Sequence, residues 1–445
     1  MIKFFIIILQ LTVLVLVSSF LIRNSYPVSL TLDQLIITTS SSVLFIFAAI
    51  IIFMIIFFQR IIFFFKLRIF KFKLNKQKDN WERGYQAFSQ GMIAVANKDF
   101  QTAITENKKV SYYLKNTSLN LLLKSETLKI EKKYDELSLV YEEMLKIENT
   151  KAIGLKGLMK KNIYAQDYHH AFVYGESLFN INPKIEKLYD TLVNIIGKTN
   201  NWQKLIEISN NALSLKLITK DLSNVNKSIG YYEISKIKMH SEPYEAIKLI
   251  ENSLKLRQFF YPYVSYYLEL LIENNELIKT KKYLQKNWKN LLFPELKNII
   301  KSLSIKLNLS FSELTKIIVS NDYDIKESKI LLAESFIENQ KWNDAKKILT
   351  PLLQHKPSKE VCLLMSVIEK NNSSDPQKVN AWISRSNFGE LNRIWICSIT
   401  NTTQENWSSM SNSGYFNSLE WRKPKDMNNL SSQDVESNII SYINN

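Results

Sequence analysis

The chain has 445 residues, of which 58 are Lys or Arg and 42 are Asp or Glu, giving a formal net charge of +16. Only 9 Gly, 9 Pro, 4 His and 2 Cys occur, which excludes a disulfide framework and a four-cysteine zinc site, and so few turn formers favour helices over a β-rich fold. No two glycines stand in a GxG pattern, so a dinucleotide-binding fingerprint and a Walker A loop are excluded.

Two apolar stretches without charged residues stand near the N-terminus, at residues 4–22 and at about residues 37–58. As a helix, each is long enough to cross most of the ~30 Å hydrocarbon core of a bilayer. The segment between them is short and neutral overall, so residues 1–60 are predicted to form a transmembrane helical hairpin. A cleavable signal peptide over residues 1–19 is the alternative, but a second full-length apolar stretch follows at once.

The segment 61–80 is basic and rich in Phe and Ile. Its basic residues include Lys66, Arg68, Lys71 and Lys73, and Arg60 stands directly before it. This pattern predicts a juxtamembrane amphipathic helix that binds anionic lipid headgroups. The phenylalanines and the neighbouring apolar stretch favour lipid over nucleic acid, and no nucleic-acid partner is predicted. By the positive-inside rule, the basic flank places the following C-terminal part in the cytoplasm.

Residues 81–390 have the pattern of paired amphipathic helices. Aromatic anchors recur every 34 residues at Phe100, Tyr134, Tyr168 and Trp202, and the spacing resumes between Leu277 and Phe311. A period of 34 residues is that of the tetratricopeptide repeat, a helix–turn–helix unit. We therefore predict an all-α chain whose main part is a tetratricopeptide-repeat-like α-solenoid. An irregular α-solenoid or a coiled coil is the alternative.

Few residues in this region are candidates for chemistry. His169 and His170 are adjacent and could be haem or metal ligands, although a solvated turn between paired helices is the simpler interpretation. The inner face of such an array comes from the first helix of each pair, where Lys129, Lys156 and Lys160 would form a basic groove for an acidic partner segment, or would simply be solvated. No catalytic residue, general acid–base pair or metal site is predicted.

The tail, residues 391–445, is rich in Ser and Asn yet contains Trp395, Trp407 and Trp421. So many tryptophans are unusual in a solvated linker, and a docked extended segment or a small β element is expected. From Asp426 onward the residues are mostly polar, which predicts disorder.

These features together resemble the HemY family of inner-membrane proteins. The resemblance rests on the apolar hairpin, the basic Phe-rich helix and the stretch WERGYQAFSQGMIAVANKDFQTAI that leads into the repeats. In the tail, Trp395–Ile396–Cys397, Trp407, Gly414–Tyr415–Phe416 and Trp421 resemble the end segment of alphaproteobacterial members. Where some relatives carry a second cysteine, this chain has Thr400, which counts against a metal knuckle in the tail.

The resemblance implies a non-catalytic scaffold of the bacterial inner membrane, associated with late haem and protoporphyrin biosynthesis. The expected partners are membrane lipid and late haem-biosynthesis enzymes, and no catalytic residues are implied. A tetratricopeptide adaptor for cell-envelope (lipopolysaccharide) assembly is one alternative, against which two spans and the lack of a CxxC motif count. Direct binding of haem or porphyrin through His169 or His170 is the other.

Overall fold

The computed structural model describes residues 12–13, 15–17, 19–20, 22–24, 26–32, 35–115, 117–354, 357–372, 375–389 and 393–423. These residues belong to two compact units, Met1–Val140 and Tyr141–Asn445. The predicted first span, residues 4–22, lies mostly outside the described residues, although the described positions within 12–23 are helical. The disorder predicted from Asp426 also lies outside them.

A β-hairpin precedes the long helix of the first unit, and the sequence analysis did not predict it. β1 (Pro27–Leu32) pairs antiparallel with β2 (Leu35–Ser40), in a register that runs from Pro27 opposite Ser40 to Leu32 opposite Leu35. The predicted second span from about residue 37 is therefore wrong at its start, because residues 37–40 are in a strand. The run Ile36–Thr39 is β-branched throughout, and such side chains favour extended backbone.

A single helix, α1 (Ser41–Ala96), follows directly and has 56 residues. At 1.5 Å per residue it is about 84 Å long. It contains the apolar stretch, the basic segment 61–80 and the first helix of the first repeat, which the sequence analysis treated as separate elements. No glycine or proline stands between Ser41 and Gly84 to end it. The first unit also contains α2 (Phe100–Tyr113), α3 (Ser118–Ile130) and most of α4 (Tyr134–Met144).

Small residues on the last turns of α1 allow α2 and α3 to approach closely. Gly84, Ala87, Gly91 and Ala94 are all buried and recur at spacings of three and four residues, so they lie on one face of the helix. A Cβ atom at Gly91 would lie 2.6 Å from a methyl carbon of Leu123. The first repeat therefore packs through the small-residue stripe that the sequence shows.

The second unit consists of successive helix pairs, in which we call the first helix the A helix and the second the B helix. The A helices are α5 (Glu148–Tyr164), α7 (Leu188–Thr199), α9 (Lys220–Lys238), α11 (Tyr261–Glu273), α13 (Leu296–Lys306), α15 (Lys326–Glu338) and α17 (Lys359–Asn372). The B helices are α6 (Tyr168–Ile181), α8 (Trp202–Ser214), α10 (Pro243–Leu256), α12 (Leu277–Asn287), α14 (Phe311–Val319), α16 (Trp342–Leu349) and α18 (Pro376–Ser386). Short 3₁₀ turns follow α12 and α16.

The anchors of the 34-residue period mark the starts of B helices in both units. Phe100, Tyr134, Tyr168, Trp202, Leu277, Phe311 and Trp342 are each the first residue of a helix. Pro243, which stands off the 34-residue spacing, is the first residue of α10. The predicted pairing of helices is therefore confirmed, and the predicted register gives the helix starts.

The tail contains a small antiparallel sheet with the strand order β4–β3–β5. β3 (Ile394–Cys397) pairs with β4 (Thr403–Gln404) on one side and with β5 (Leu419–Arg422) on the other. We call the described residues 393–423 the tail module. It confirms the expected small β element, and together with the N-terminal hairpin it corrects the all-α prediction.

Candidate protein-binding face

The three predicted groove lysines are divided between the two units. Lys129 is in the first unit, on α3, where its Nζ atom lies 2.6 Å from Oε1 of Glu126. Lys156 and Lys160 are in the second unit, both exposed and four residues apart on the A helix α5. Because residues four apart share one face of a helix, these two lysines lie side by side.

The next A helix continues the same register with residues that the sequence analysis did not select. Counted from the Trp202 anchor as Lys156 and Lys160 are counted from Tyr168, the equivalent positions on α7 are Asp190 and Asn194. The other two inner positions of this unit are Lys187 and Gly197. Applying the period to the unit 186–219 would have found them. The structure shows that this set surrounds a cavity and contacts the tail module.

The tail module docks on the A-helix face of the second unit. The backbone N–H of Phe416 donates a hydrogen bond to Oδ1 of Asn194 over 3.1 Å. One helical turn later, Gly197 approaches Met410 and Phe416 so closely that a Cβ atom there would overlap the Met410 sulfur. A glycine at this position therefore leaves room for the Met410 and Phe416 side chains to pack directly against α7.

An aromatic cluster completes the docking. The Trp407 ring lies 5.1 Å from Phe260, 5.7 Å from Tyr263 and 5.5 Å from Tyr232, between ring centroids and in edge-to-face geometry. Trp395 packs against the same Phe260 ring at 6.0 Å. Trp407 is only 8% exposed, and burial raises the pKa of both Tyr232 and Tyr263, so these phenols remain neutral donors.

Arg257 packs against the Phe260 ring of this cluster. Its guanidinium stacks 3.5 Å from the centroid of the Phe260 ring, and burial lowers the pKa of Arg257. A guanidinium in contact with an aromatic face is held by the ring quadrupole and fixes the plane of the ring. The Phe260 ring, which receives both tryptophans, is thereby oriented.

A cavity of about 510 Å³ lies beside the docked tail. One wall comes from α7 and the turn before it, with Lys187, Asp190 and Lys198. The opposite wall comes from the tail module, with Ile399 and Tyr415. Lys198 donates a hydrogen bond to the Tyr168 hydroxyl over 2.9 Å, and its ammonium lies 4.4 Å from the centre of the Tyr168 ring. The charged residues that line the cavity are thus two lysines and one aspartate.

The two histidines lie where the simpler interpretation placed them. His169 and His170 are exposed in the first turn of α6. The backbone N–H of His170 donates to the Asp167 carboxylate, and Nδ1 of His170 lies 2.7 Å from Oδ2 of the same aspartate. These hydrogen bonds to His170 lower the pKa of Asp167. Asp167 is the N-cap of the helix, so its contact with His170 stabilises the helix start.

Both cysteines are buried. Cys362 is fully buried on α17, and burial raises the pKa of its thiol. Cys397 lies 3.3 Å from the Ser418 hydroxyl. Burial raises the pKa of the Cys397 thiol, but its hydrogen bonds with Ser418 and Thr400 and with backbone N–H groups outweigh burial and lower this pKa to about 6. Within the residues that the structure describes, no three His, Cys, Asp or Glu side chains are grouped to hold a metal ion.

The residues predicted to lie at the membrane surface are on α1. Arg60, Lys66, Arg68, Lys71 and Lys73 are all exposed. The apolar part of the helix has a mean hydropathy of 2.9 and is only 6% buried, so α1 is long and apolar enough to cross a membrane.

Comparisons with known proteins locate a family region at the N-terminal end. The family model described as the HemY protein N-terminus matches residues 27–131. A comparison with curated protein sequences finds no match. Of the solved structures, the Naa15/Naa10 complex bound to HypK-THB is 13% identical with a TM-score of 0.39, over 69% of this chain and 54% of that chain. This chain thus spans little more than half of that one. A tetratricopeptide repeat protein from Parabacteroides merdae is 12% identical with a TM-score of 0.27, over 57% of this chain and 94% of that chain.

Proposed function

We propose that the chain, whose residues 27–131 match the family model described as the HemY protein N-terminus, is a non-catalytic scaffold of the bacterial inner membrane. In this role it gathers enzymes of late haem and protoporphyrin biosynthesis at the cytoplasmic face. Clustered enzymes would pass hydrophobic, reactive porphyrins between them without release into solution.

The observation that carries the proposal is the continuity of α1. Within one helix of 56 residues, an apolar stretch suited to a bilayer leads into a basic segment and then into the first helix pair. A helix without a break transmits its orientation, whereas a flexible linker would not. The first repeat would therefore be held close to the membrane surface, with the basic residues on the cytoplasmic side.

The docked tail supports a protein-binding role for the repeats. The A-helix face of the second unit already holds the tail of its own chain through Asn194 and an aromatic cluster. Arrays of paired helices offer such faces to extended ligands. We keep haem or porphyrin binding by His169 or His170 as a second proposal, which a visible absorption titration of His169→Ala/His170→Ala with haemin would test.

The test of the scaffold is affinity purification of the full chain from membranes in mild detergent, followed by mass spectrometry. We expect enrichment of late haem-biosynthesis enzymes over an unrelated membrane protein carrying the same tag, and accumulation of porphyrin intermediates when the gene is deleted. Recovery of no such enzyme, with normal porphyrin levels, would contradict the proposal. Recovery of lipopolysaccharide-assembly proteins instead would favour the adaptor alternative.

A further inference from the structure

We propose that the basic part of the A-helix face in the second unit, together with the docked tail module, binds an acidic peptide segment in extended conformation. The proposal rests on the scaffold role proposed above and names the chemistry of its ligand. The binding residues are Lys156, Lys160, Lys187 and Lys198, and the tail module supplies the opposite wall through Ile399 and Tyr415.

This face already binds main-chain atoms of the tail module, at a turn that includes Gly414 and Phe416. Asn194, at the centre of the inner positions of α7, accepts a hydrogen bond from the backbone N–H of Phe416. Gly197 leaves the room that the Met410 and Phe416 side chains occupy. The tail module therefore fills the aromatic part of the face, towards α9 and α11. It leaves vacant the part towards α5 and the start of α7.

The vacant part carries excess positive charge. Lys187 and Lys198 line the cavity with a single aspartate, Asp190. Ile163 of α5 lines the same cavity, and Lys156 and Lys160 precede it by seven and three residues, which places them on the same face of that helix. Among the described residues, no carboxylate lies within 4.0 Å of any of these four ammonium groups.

The spacing of the lysines matches an extended acidic segment. Residues four apart on a helix rise about 6 Å along its axis. Alternate residues of an extended chain lie on one side at intervals of about 6.6 Å. Carboxylates at alternate positions would therefore meet Lys156 and Lys160 in turn, while the apolar side chains between them would face the cavity. Charge complementarity of this kind provides specificity and a fast association rate.

The tail module acts here as a wall rather than as a competitor. Ile399, Tyr415 and Asn417 face α7 across the cavity. Lys198 connects the two sides, because it hydrogen-bonds to Tyr168 and stands beside Gly414 of the tail. A ligand in the cavity would contact array and tail together, so its binding would depend on tail docking.

The test uses the full chain in detergent micelles and a fluorescein-labelled octapeptide of alternating glutamate and leucine, with fluorescence anisotropy as the readout. We expect Lys187→Gln/Lys198→Gln to weaken binding at least about fivefold, and Lys156→Gln/Lys160→Gln to weaken it similarly. Glutamine is chosen because the chain already holds it in left-handed backbone like that of Lys187, at Gln166 and Gln340. The matched control, Lys248→Gln, removes an exposed lysine from the B helix α10 and should leave affinity unchanged.

A second variant separates a wall from a competitor. Trp407→Ala should release the tail module and weaken peptide binding, with circular dichroism confirming that the helices remain folded. Tighter binding by this variant would overturn the proposal, as would binding within twofold of the native chain by Lys187→Gln/Lys198→Gln. Equal binding of a single-stranded oligonucleotide of the same charge would also overturn it. Peptide binding without recovery of haem-pathway enzymes would refute only the proposed function. Recovery of these enzymes without peptide binding would refute only this inference.

Discussion

At the scale of single residues, one carboxyl group is held in an unfavourable environment. Glu360, in the first turn of α17, lines a small cavity of about 30 Å³ together with Lys297 and Glu334. Lys297 lies 2.7 Å from the Glu334 carboxylate. Burial first, and the neighbouring Glu334 charge second, raise the pKa of Glu360 to about 7. The charged form of Glu360 is therefore disfavoured in the folded chain.

We predict that Glu360→Gln stabilises the protein at pH 8 but not at pH 5. The folded pKa is above the unfolded value of 4.5, so the favourable contribution of the protonated carboxyl is complete below that value and is lost as the pH rises to about 7. Removing the charge should raise the free energy of unfolding by on the order of 1–3 kcal/mol at pH 8.

Urea unfolding followed by circular dichroism at the two pH values measures this difference. Glu327→Gln is the control, because it removes a carboxylate from the lining of the same cavity and leaves the Glu360 carboxyl group in place. An equal effect of Glu360→Gln at both pH values would show that the side chain acts through packing and not through its charge.

At the scale of elements, the turns between paired helices repeat one backbone device. A residue with φ between 54° and 62° stands two positions before the B helix in six pairs, at Lys98, Lys132, Gln166, Asn200, Asn275 and Gln340. In each turn, the N–H of the following residue donates to the carbonyl five residues back, as Lys133 does to Leu128 over 3.1 Å. This is the Schellman arrangement, which ends a helix and satisfies its last carbonyl groups.

We expect Lys132→Gly to stabilise the first unit. A left-handed backbone costs a residue with a side chain about 1–2 kcal/mol, and glycine avoids that cost but loses more chain entropy on folding. The net gain should be about 0.5–1 kcal/mol in the free energy of unfolding. Lys133→Gly makes the same change one position later, where φ is not positive, and should destabilise instead. Denaturant midpoints for the two variants compare them, and shifts in the same direction would refute the backbone argument.

At the scale of the whole molecule, the tail module depends on contacts between distant parts of the second unit. Phe416 and Asn194 are 222 residues apart in the chain. Trp407 and Trp395 bury their rings against Phe260 at the start of α11. The tail thus packs on A helices that precede it by well over a hundred residues.

Trp407→Ala should detach the tail module. Replacing a buried tryptophan by alanine costs about 3–5 kcal/mol of stability. Here the substitution should weaken the free energy with which the tail module docks. Trypsin should then cleave after Arg393 and Arg422 at least about tenfold faster, because cleavage follows the population of the open form. Ile399→Ala, in the same module but 57% exposed, should leave the cleavage rate near that of the native chain. Equal rates for all three proteins would show that the aromatic cluster does not hold the tail.

Local patterns predicted much of the fold. Anchors such as Tyr134 and Trp202 predicted the starts of the B helices, because each repeat places a large apolar or aromatic residue at the equivalent position. The charge-free residues of α1 likewise predicted a helix apolar enough to cross a membrane. The β1–β2 hairpin was missed although its signal was local, since the β-branched run Ile36–Thr39 was included in an apolar span.

The basic residues Lys156 and Lys160 of the candidate site could be predicted from the sequence, and so could the resemblance to the HemY family. Charge, helical spacing and short sequence motifs are all properties of neighbouring residues. Only the tertiary structure decided that the tail docks on the A-helix face beside them. That docking depends on contacts between side chains such as Trp407 and Phe260. These two residues are far apart in the sequence, and the repeat period does not predict their contact. Their attraction arises from burial against a surface that exists only once the helix pairs have packed.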